Sequence, residues 1–291
     1  VSEPRGWGVD ATRVVDIDAA ELADAFARRS IAVHHDLVDH PLFSIDAIAE
    51  LADRLPPDSV RREHGHLPLA HSGYVDVGQG PPSETIKDIE RTGMRVSLRE
   101  IQQVPEYAEL INGCLDEVEG LVAGREGGMT RRAGYLFISC PASTTPMHFD
   151  VEHSFLLQVK GIKHVSVAAF DDNPDALRRE LDRYVDGVEC DFGAMQAVAE
   201  TFDLEPSVGV YLPSYVPHWV ETEAGVSISF SIPFYTAYAE RREAVFRMNR
   251  RMRQLHMSPR PPGTSEPVDK TKAAVMRSLA KLREARHKLP T

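Results

Sequence analysis

Between Ala133 and Phe234 the chain is built from short runs rich in β-branched and aromatic residues: GYLFISC, SFLLQVKGIKHVSVAAF, SVGVYLP, HWVETE and GVSISFSIPF. Gly and Pro punctuate them. Runs of this length and composition suit half-buried strands, and their close spacing predicts an antiparallel barrel or jelly roll. The flanks read differently. Asp18 to Arg29 has helical spacing with Asp18 as N-cap, Ser30 to Leu37 reads as a strand, and Ser44 to Leu55 is a second helix stopped by Pro56 and Pro57. Residues 58–82 are polar and rich in His, Gly and Pro, which predicts a long loop or an irregular edge. Pro82 to Arg91 and Val104 to Ala123 have helical spacing. After Phe234 two more helices are expected, Ala237 to Leu255 and Lys270 to Lys288. Asp171 to Pro206 reads as an acidic insertion, with its best helix over Pro174 to Tyr184.

The expected organisation is therefore an N-terminal α/β region (1–130), a β core (131–236) with a helical insertion (171–206), and a C-terminal helical region (237–291). A chain of 291 residues with 42% hydrophobic and 26% charged residues can bury a sizeable core. Net charge is −11, with 44 acidic against 33 basic residues, so general nucleic-acid binding is a poor reading. The charge is uneven, because residues 241–291 hold 14 Lys or Arg against 4 Asp or Glu, a local net of +10. In Glu240 to Leu255, Val245, Met248, Met252 and Leu255 recur at helical spacing, leaving one apolar and one cationic face. This basic appendage is expected to dock against a second copy of the acidic body, making a homodimer. Cys114, Cys140 and Cys190 are widely spaced with no CxxC pair, so neither a disulfide framework nor a thiolate zinc site is expected. No run approaches 18 apolar residues and there is no charged-then-apolar leader, so the expected location is the cytoplasm, without a membrane partner.

The chemistry concentrates in Thr144 to Val165, TTPMHFDVEHSFLLQVKGIKHV. His148 and Asp150 are one residue apart at a strand entrance, so a period of two puts both side chains on one face. His218, in VYLPSYVPHWVET, is the candidate third ligand. Two imidazoles and one carboxylate occupy one face of an octahedral metal, the arrangement of non-haem Fe(II) oxygenases, and leave positions open for a chelating cosubstrate and dioxygen. Lys163, after a Lys-Gly turn, would supply a buried cation for the far carboxylate of a dicarboxylate, and Thr145 a hydroxyl donor. His153 and His164 fall on the wrong strand faces to be ligands. Lys160 reads as solvated, Cys140 as a small buried hydrophobe and Trp219 as packing. The cluster His64, His66 and His71 reads as a solvated loop before a substrate entrance.

TPMHFD, then FLLQVKGIK, then YLPSYVPHWVE resembles the JmjC (cupin-like) Fe(II)- and 2-oxoglutarate-dependent oxygenases, closest in pattern to the asparaginyl-hydroxylase branch. The resemblance covers residues 133–234. It implies a double-stranded β-helix, iron held by His148, Asp150 and His218, and 2-oxoglutarate held at its C5 carboxylate by Thr145 and Lys163. Ser154 and Ser231 stand near the cosubstrate where that branch carries Asn, and Tyr135 is expected to reach the same pocket. The implied activity is hydroxylation of a C–H bond in a protein, peptide, amino-acid-like or other small-molecule substrate, with release of succinate and CO2. Besides a cupin isomerase or dioxygenase that does not use 2-oxoglutarate, two rivals remain at this point. One is demethylation of N-methyl-lysine, although no reader domain or zinc module accompanies the core; the other is a non-catalytic cupin-like metal-binding or regulatory domain.

Overall fold

Helix termini form where the capping residues stand. In the computed structural model, which describes residues 15–69, 77–168 and 174–287, Asp18 accepts from the backbone N–H groups of Ala20 and Glu21 and opens the helix Ala19–Ala25. Ser44 accepts from Ala47 N–H and opens Ile45–Arg54, each cap satisfying donors that the helix itself cannot. Pro105 starts the long helix Pro105–Glu126, and Gly127, at φ +81°, ends it.

The strands are β1 (Val15–Asp16), β2 (Ile31–His35), β3 (Val60–His64), β4 (Met94–Leu98), β5 (Met129–Arg132), β6 (Tyr135–Ser139), β7 (Thr144–Phe149), β8 (His153–Lys160), β9 (Lys163–Ala168), β10 (Ala199–Leu204), β11 (Val208–Leu212), β12 (Pro217–Thr222) and β13 (Ser227–Thr236). They make two antiparallel sheets. The larger runs β1-β2-β11-β8-β13-β6-β4-β3, with β5 also on β13; the smaller runs β10-β9-β12-β7. The sharp turn from β8 to β9 needs Gly161, whose φ is +73° and whose absent Cβ would lie 2.5 Å from the Val226 carbonyl.

Strand alternation sorts the larger sheet into an apolar outer face and a polar inner one. Leu136, Ile138, Phe155, Leu157, Phe230, Ile232 and Phe234 pack outward in one core with Ile48, Leu51, Ile111 and Leu115 of the N-terminal helices. Each such side chain contributes roughly 1.5–3 kcal/mol relative to exposure. Their neighbours Tyr135, Phe137, Ser154 and Ser231 turn inward, toward the smaller sheet. A second apolar layer, with Leu156, Val165, Val167, Leu204, Val210 and Val220, closes part of the space between the sheets. This is the expected mainly β fold with flanking helices, a jelly roll.

Of the two readings of residues 58–82, the edge holds for the first part: β3 lies there at the end of the larger sheet and pairs with β4 along Val60 to His64. Its sequence, VRREH, is polar because Arg61 and Glu63 face the inter-sheet space. The stretch 171–206 is helical over Pro174–Asp186 and Phe192–Gln196 but ends in β10, which pairs with β9 along its whole length. His71 lies outside the described residues. At the C-terminus the helices Ala237–Gln254 and Glu266–His287 form as expected. Part of the basic appendage meets acidic groups of its own chain, since Arg253 donates to Asp182 (2.9 Å) and to both carboxylate oxygens of Asp186 (2.6 and 2.7 Å). Among the described residues no helix is long and apolar enough to cross a membrane.

Candidate metal centre

His148 is the next-to-last residue of β7 and Asp150 follows its end, so both project to the inner side. β12 places His218 directly opposite His148, and the ring centroids are 4.2 Å apart. The Nε2 atoms of His148 and His218 lie 3.6 and 3.7 Å from the same oxygen, Asp150 Oδ2. Three ligands at about 2.1 Å from one divalent ion stand about 3.0–3.4 Å from one another; the three candidate ligand atoms, all within 4.8 Å of one another, would draw together around such an ion.

The imidazoles are already in the required tautomer. Nδ1 of His148 donates to the Pro146 carbonyl (2.8 Å) and Nδ1 of His218 to that of Val216 (3.0 Å). Carbonyls only accept, so each ring keeps its Nε2 lone pair for a metal. Burial, and then His148 beside it, pushes the His218 imidazole down to about 4, which keeps it neutral near pH 7. The two ligand-bearing loops are tied together: Tyr215 N–H donates to the Asp150 carbonyl (2.7 Å) and Ser214 Oγ to that of Val151 (2.7 Å). Tyr215 holds a left-handed φ of +63°, uncommon for a residue with a Cβ. The donor set, its tautomers and its charge therefore fit a divalent metal.

All eight residues singled out in the sequence, His148, Asp150, His218, Thr145, Lys163, Ser154, Tyr135 and Ser231, line one cavity of about 390 Å³. Lys163 is only 4% exposed. Its Nζ donates to Ser229 Oγ (2.8 Å), and Ser229 donates in turn to Gln158 Oε1 (2.6 Å). Burial, and secondarily Arg95, lowers the Lys163 ammonium to about 7. Ser154 and Ser231 bond to each other (2.8 Å). Tyr135 lies under the Arg99 guanidinium, 4.9 Å from ring centroid to Cζ.

Sequence reasoning missed the polar groups that β3 and β4 contribute to this cavity, among them Glu63, Arg95 and Arg99, as well as Glu152. The signal was present in MRVSLR, where Arg95, Ser97 and Arg99 alternate with Val96 and Leu98. The residues set aside as ligands are indeed elsewhere. His153 is fully buried behind the site, between Tyr211 Oη (2.8 Å) and Glu126 (3.1 Å). His164 faces outward to Asp203 and Glu223. Lys160, His64 and His66 are exposed, Cys140 is buried, and Trp219 packs edge-on against Phe192.

Residues 129–241 match the model of the JmjC domain family. No curated protein sequence matches the chain significantly. Among solved structures, YcfD, a ribosomal oxygenase from Escherichia coli, is similar at 16% identity and a TM-score of 0.50. The same protein in complex with cobalt and 2-oxoglutarate is similar at 15% identity and a TM-score of 0.51. Each alignment covers 92% of this chain and 67% of the other. At such identity the likeness concerns the fold. Residues 129–241, which match that model, carry all three candidate ligands and lie within the jelly-roll fold.

Proposed function

We propose that the protein is an Fe(II)- and 2-oxoglutarate-dependent oxygenase that hydroxylates a C–H bond of a protein, peptide or amino-acid-like substrate, with succinate and CO2 as coproducts. One observation carries this reading. Two imidazoles and one carboxylate converge at a cavity that a buried lysine also lines. That pairing suits a cosubstrate with a chelating 2-oxo acid at one end and a carboxylate at the other. The motif order shared with the asparaginyl-hydroxylase branch supports hydroxylation over demethylation, and the intact ligand set argues against a purely structural barrel.

When bound, the metal would supply the redox chemistry that couples decarboxylation of 2-oxoglutarate to oxidation of the substrate. The chain's own work is positional. His148 and His218 present Nε2 because their Nδ1–H groups are held by backbone carbonyls, and Asp150 supplies the negative charge. Lys163 and Thr145 hold the far carboxylate, which fixes the cosubstrate's register along the cavity. Leu156, Leu212 and Val220 give the cavity an apolar wall beside its charged groups. Anaerobic addition of Fe(II) and 2-oxoglutarate is expected to produce a weak visible charge-transfer band, and admission of dioxygen to release succinate. A protein that gives neither the band nor succinate, even with candidate substrates, does not have this activity.

The helices after residue 237 are proposed to join two copies of the chain. Leu255 and Met257 are 73% and 50% exposed, and Val275 and Leu279 are also exposed. These apolar side chains sit in a region of high positive charge, an arrangement that suits burial against a second, acidic body. Removal of residues 237–291 is expected to convert a dimer to a monomer in analytical ultracentrifugation; a shortened chain that still dimerises would place the interface elsewhere.

A further inference from the structure

Lys163 is not the only cation at its end of the cavity. Arg95 enters from β4, on the opposite sheet, and its Nη1 donates to Thr145 Oγ1 (2.7 Å) and to the Thr144 carbonyl (3.2 Å). Its Nη2 meets Glu63 Oε2 at 2.8 Å, while its Nε is buried without a hydrogen-bond partner. Arg95, Glu63, Thr145 and Lys163 all line the same space. An ion pair only 13% and 12% exposed is expensive to maintain, because desolvation offsets most of its Coulomb energy. Here the expense is greater, because Glu63 neutralises one cation and leaves the other. With Lys163 protonated, Lys163, Arg95 and Glu63 together carry a net charge of +1 in one cavity. One further carboxylate would bring the group to neutrality.

The geometry points to Arg95 as a second specificity-determining cation for the cosubstrate, acting with Lys163 on the far carboxylate and oriented toward it by Glu63 and Thr145. This rests on the reading of the site as a 2-oxoglutarate site. The Thr145 hydroxyl accepts from Arg95, which leaves its own hydrogen free to donate to the incoming oxygen. Burial and the nearby Arg95 both lower the Lys163 ammonium; an anion beside the two cations would relieve that repulsion. The expected consequence is selectivity by charge. A 2-oxo acid of the same length without the terminal carboxylate would leave two buried cations sharing one carboxylate partner, and would bind poorly.

The test is a thermodynamic cycle between residue and ligand. Calorimetric titration of the 291-residue chain loaded with Mn(II), under argon, compares 2-oxoglutarate with 2-oxopentanoate, which lacks the far carboxylate. The wild type is expected to prefer 2-oxoglutarate by at least about 100-fold. Arg95→Gln is expected to shrink that preference roughly 10- to 100-fold, the range for loss of one charge-assisted hydrogen bond, while 2-oxopentanoate affinity stays unchanged. Glu63→Gln, which leaves Arg95 in place and removes its neutralising partner, is expected to widen the preference. Should Arg95→Gln fail to fold, Arg95→Lys and Glu63→Gln still decide the matter, the first by keeping most of the preference and the second by increasing it. A preference unchanged in Arg95→Gln, or an equal weakening of both ligands, overturns the role given to Arg95 and makes it a structural ion pair. A wild type that binds neither 2-oxo acid overturns the 2-oxoglutarate reading itself, and the role of Arg95 with it.

Discussion

Asp150→Ala is expected to abolish stoichiometric binding of a divalent metal and to lower 2-oxoglutarate turnover by more than about 100-fold, beyond the 10- to 100-fold cost of losing an outer-shell partner. The reason is electrostatic as much as geometric. His148 and His218 both face Oδ2 of this one carboxylate, which is the only anion in the ligand set. Without it two imidazoles, which bring no negative charge, must hold a dication unaided. The fold should tolerate the change, because the Asp150 side chain is 42% exposed and the loops are joined through its backbone carbonyl, not its carboxylate. Metal content after dialysis against a weak chelator, read beside the thermal midpoint, separates these effects. Full metal occupancy in a folded Asp150→Ala protein would place the metal somewhere other than this cluster.

Lys163→Met is expected to raise stability while damaging function. Burial, and secondarily Arg95, lowers this ammonium in the folded protein to about 7, against 10.5 for an unburied lysine. At neutral pH the unfolded chain therefore binds more protons at this position than the folded one, so wild-type stability rises as pH increases from about 7 to about 10.5. At 1.36 kcal/mol per unit, burial of Lys163 costs on the order of 4 kcal/mol near pH 7. Met has similar length and no charge to desolvate, so the variant should melt higher than wild type and lose this part of the pH dependence. Its affinity for 2-oxoglutarate should fall by at least about 100-fold, because the far carboxylate would be buried with one cation fewer. Metal binding should persist, since Lys163 bonds to Ser229 and not to a ligand. Thermal midpoints across pH 6 to 10, with a cosubstrate titration at one pH, check both halves. A variant that melts lower, or that binds 2-oxoglutarate as the wild type does, removes Lys163 from this role.

The parts of the site that were legible in the sequence are those written within one strand. His148 and Asp150 are related by the pleat alone, Lys163 follows its Gly161 turn, and the capping residues Asp18 and Ser44 announce their helices locally. Arg95 and Glu63 escaped notice for a physical reason. Pattern reading assumes that the buried face of a strand is apolar, whereas β3 and β4 turn charged residues into a polar cavity, so β3 in particular looks like loop. The strand β10 was obscured by the acidic stretch before it. The +10 charge of the C-terminal region was plain in composition, but its partial neutralisation by Asp182 and Asp186 of the same chain was not.

Taken alone, the order of residues determined a strand-rich core between helices and the chemical types available to it: an HxD pair, a later histidine, a threonine and a lysine. Tertiary structure alone decided that His218 stands opposite His148 across seventy residues of chain, that Thr145 receives a hydrogen bond from Arg95 fifty residues earlier, and that Lys163 is buried. Local propensity cannot specify such pairings. Strand register is set by which faces are buried against distant elements, and a slip of one residue would turn every one of these side chains away from the cavity.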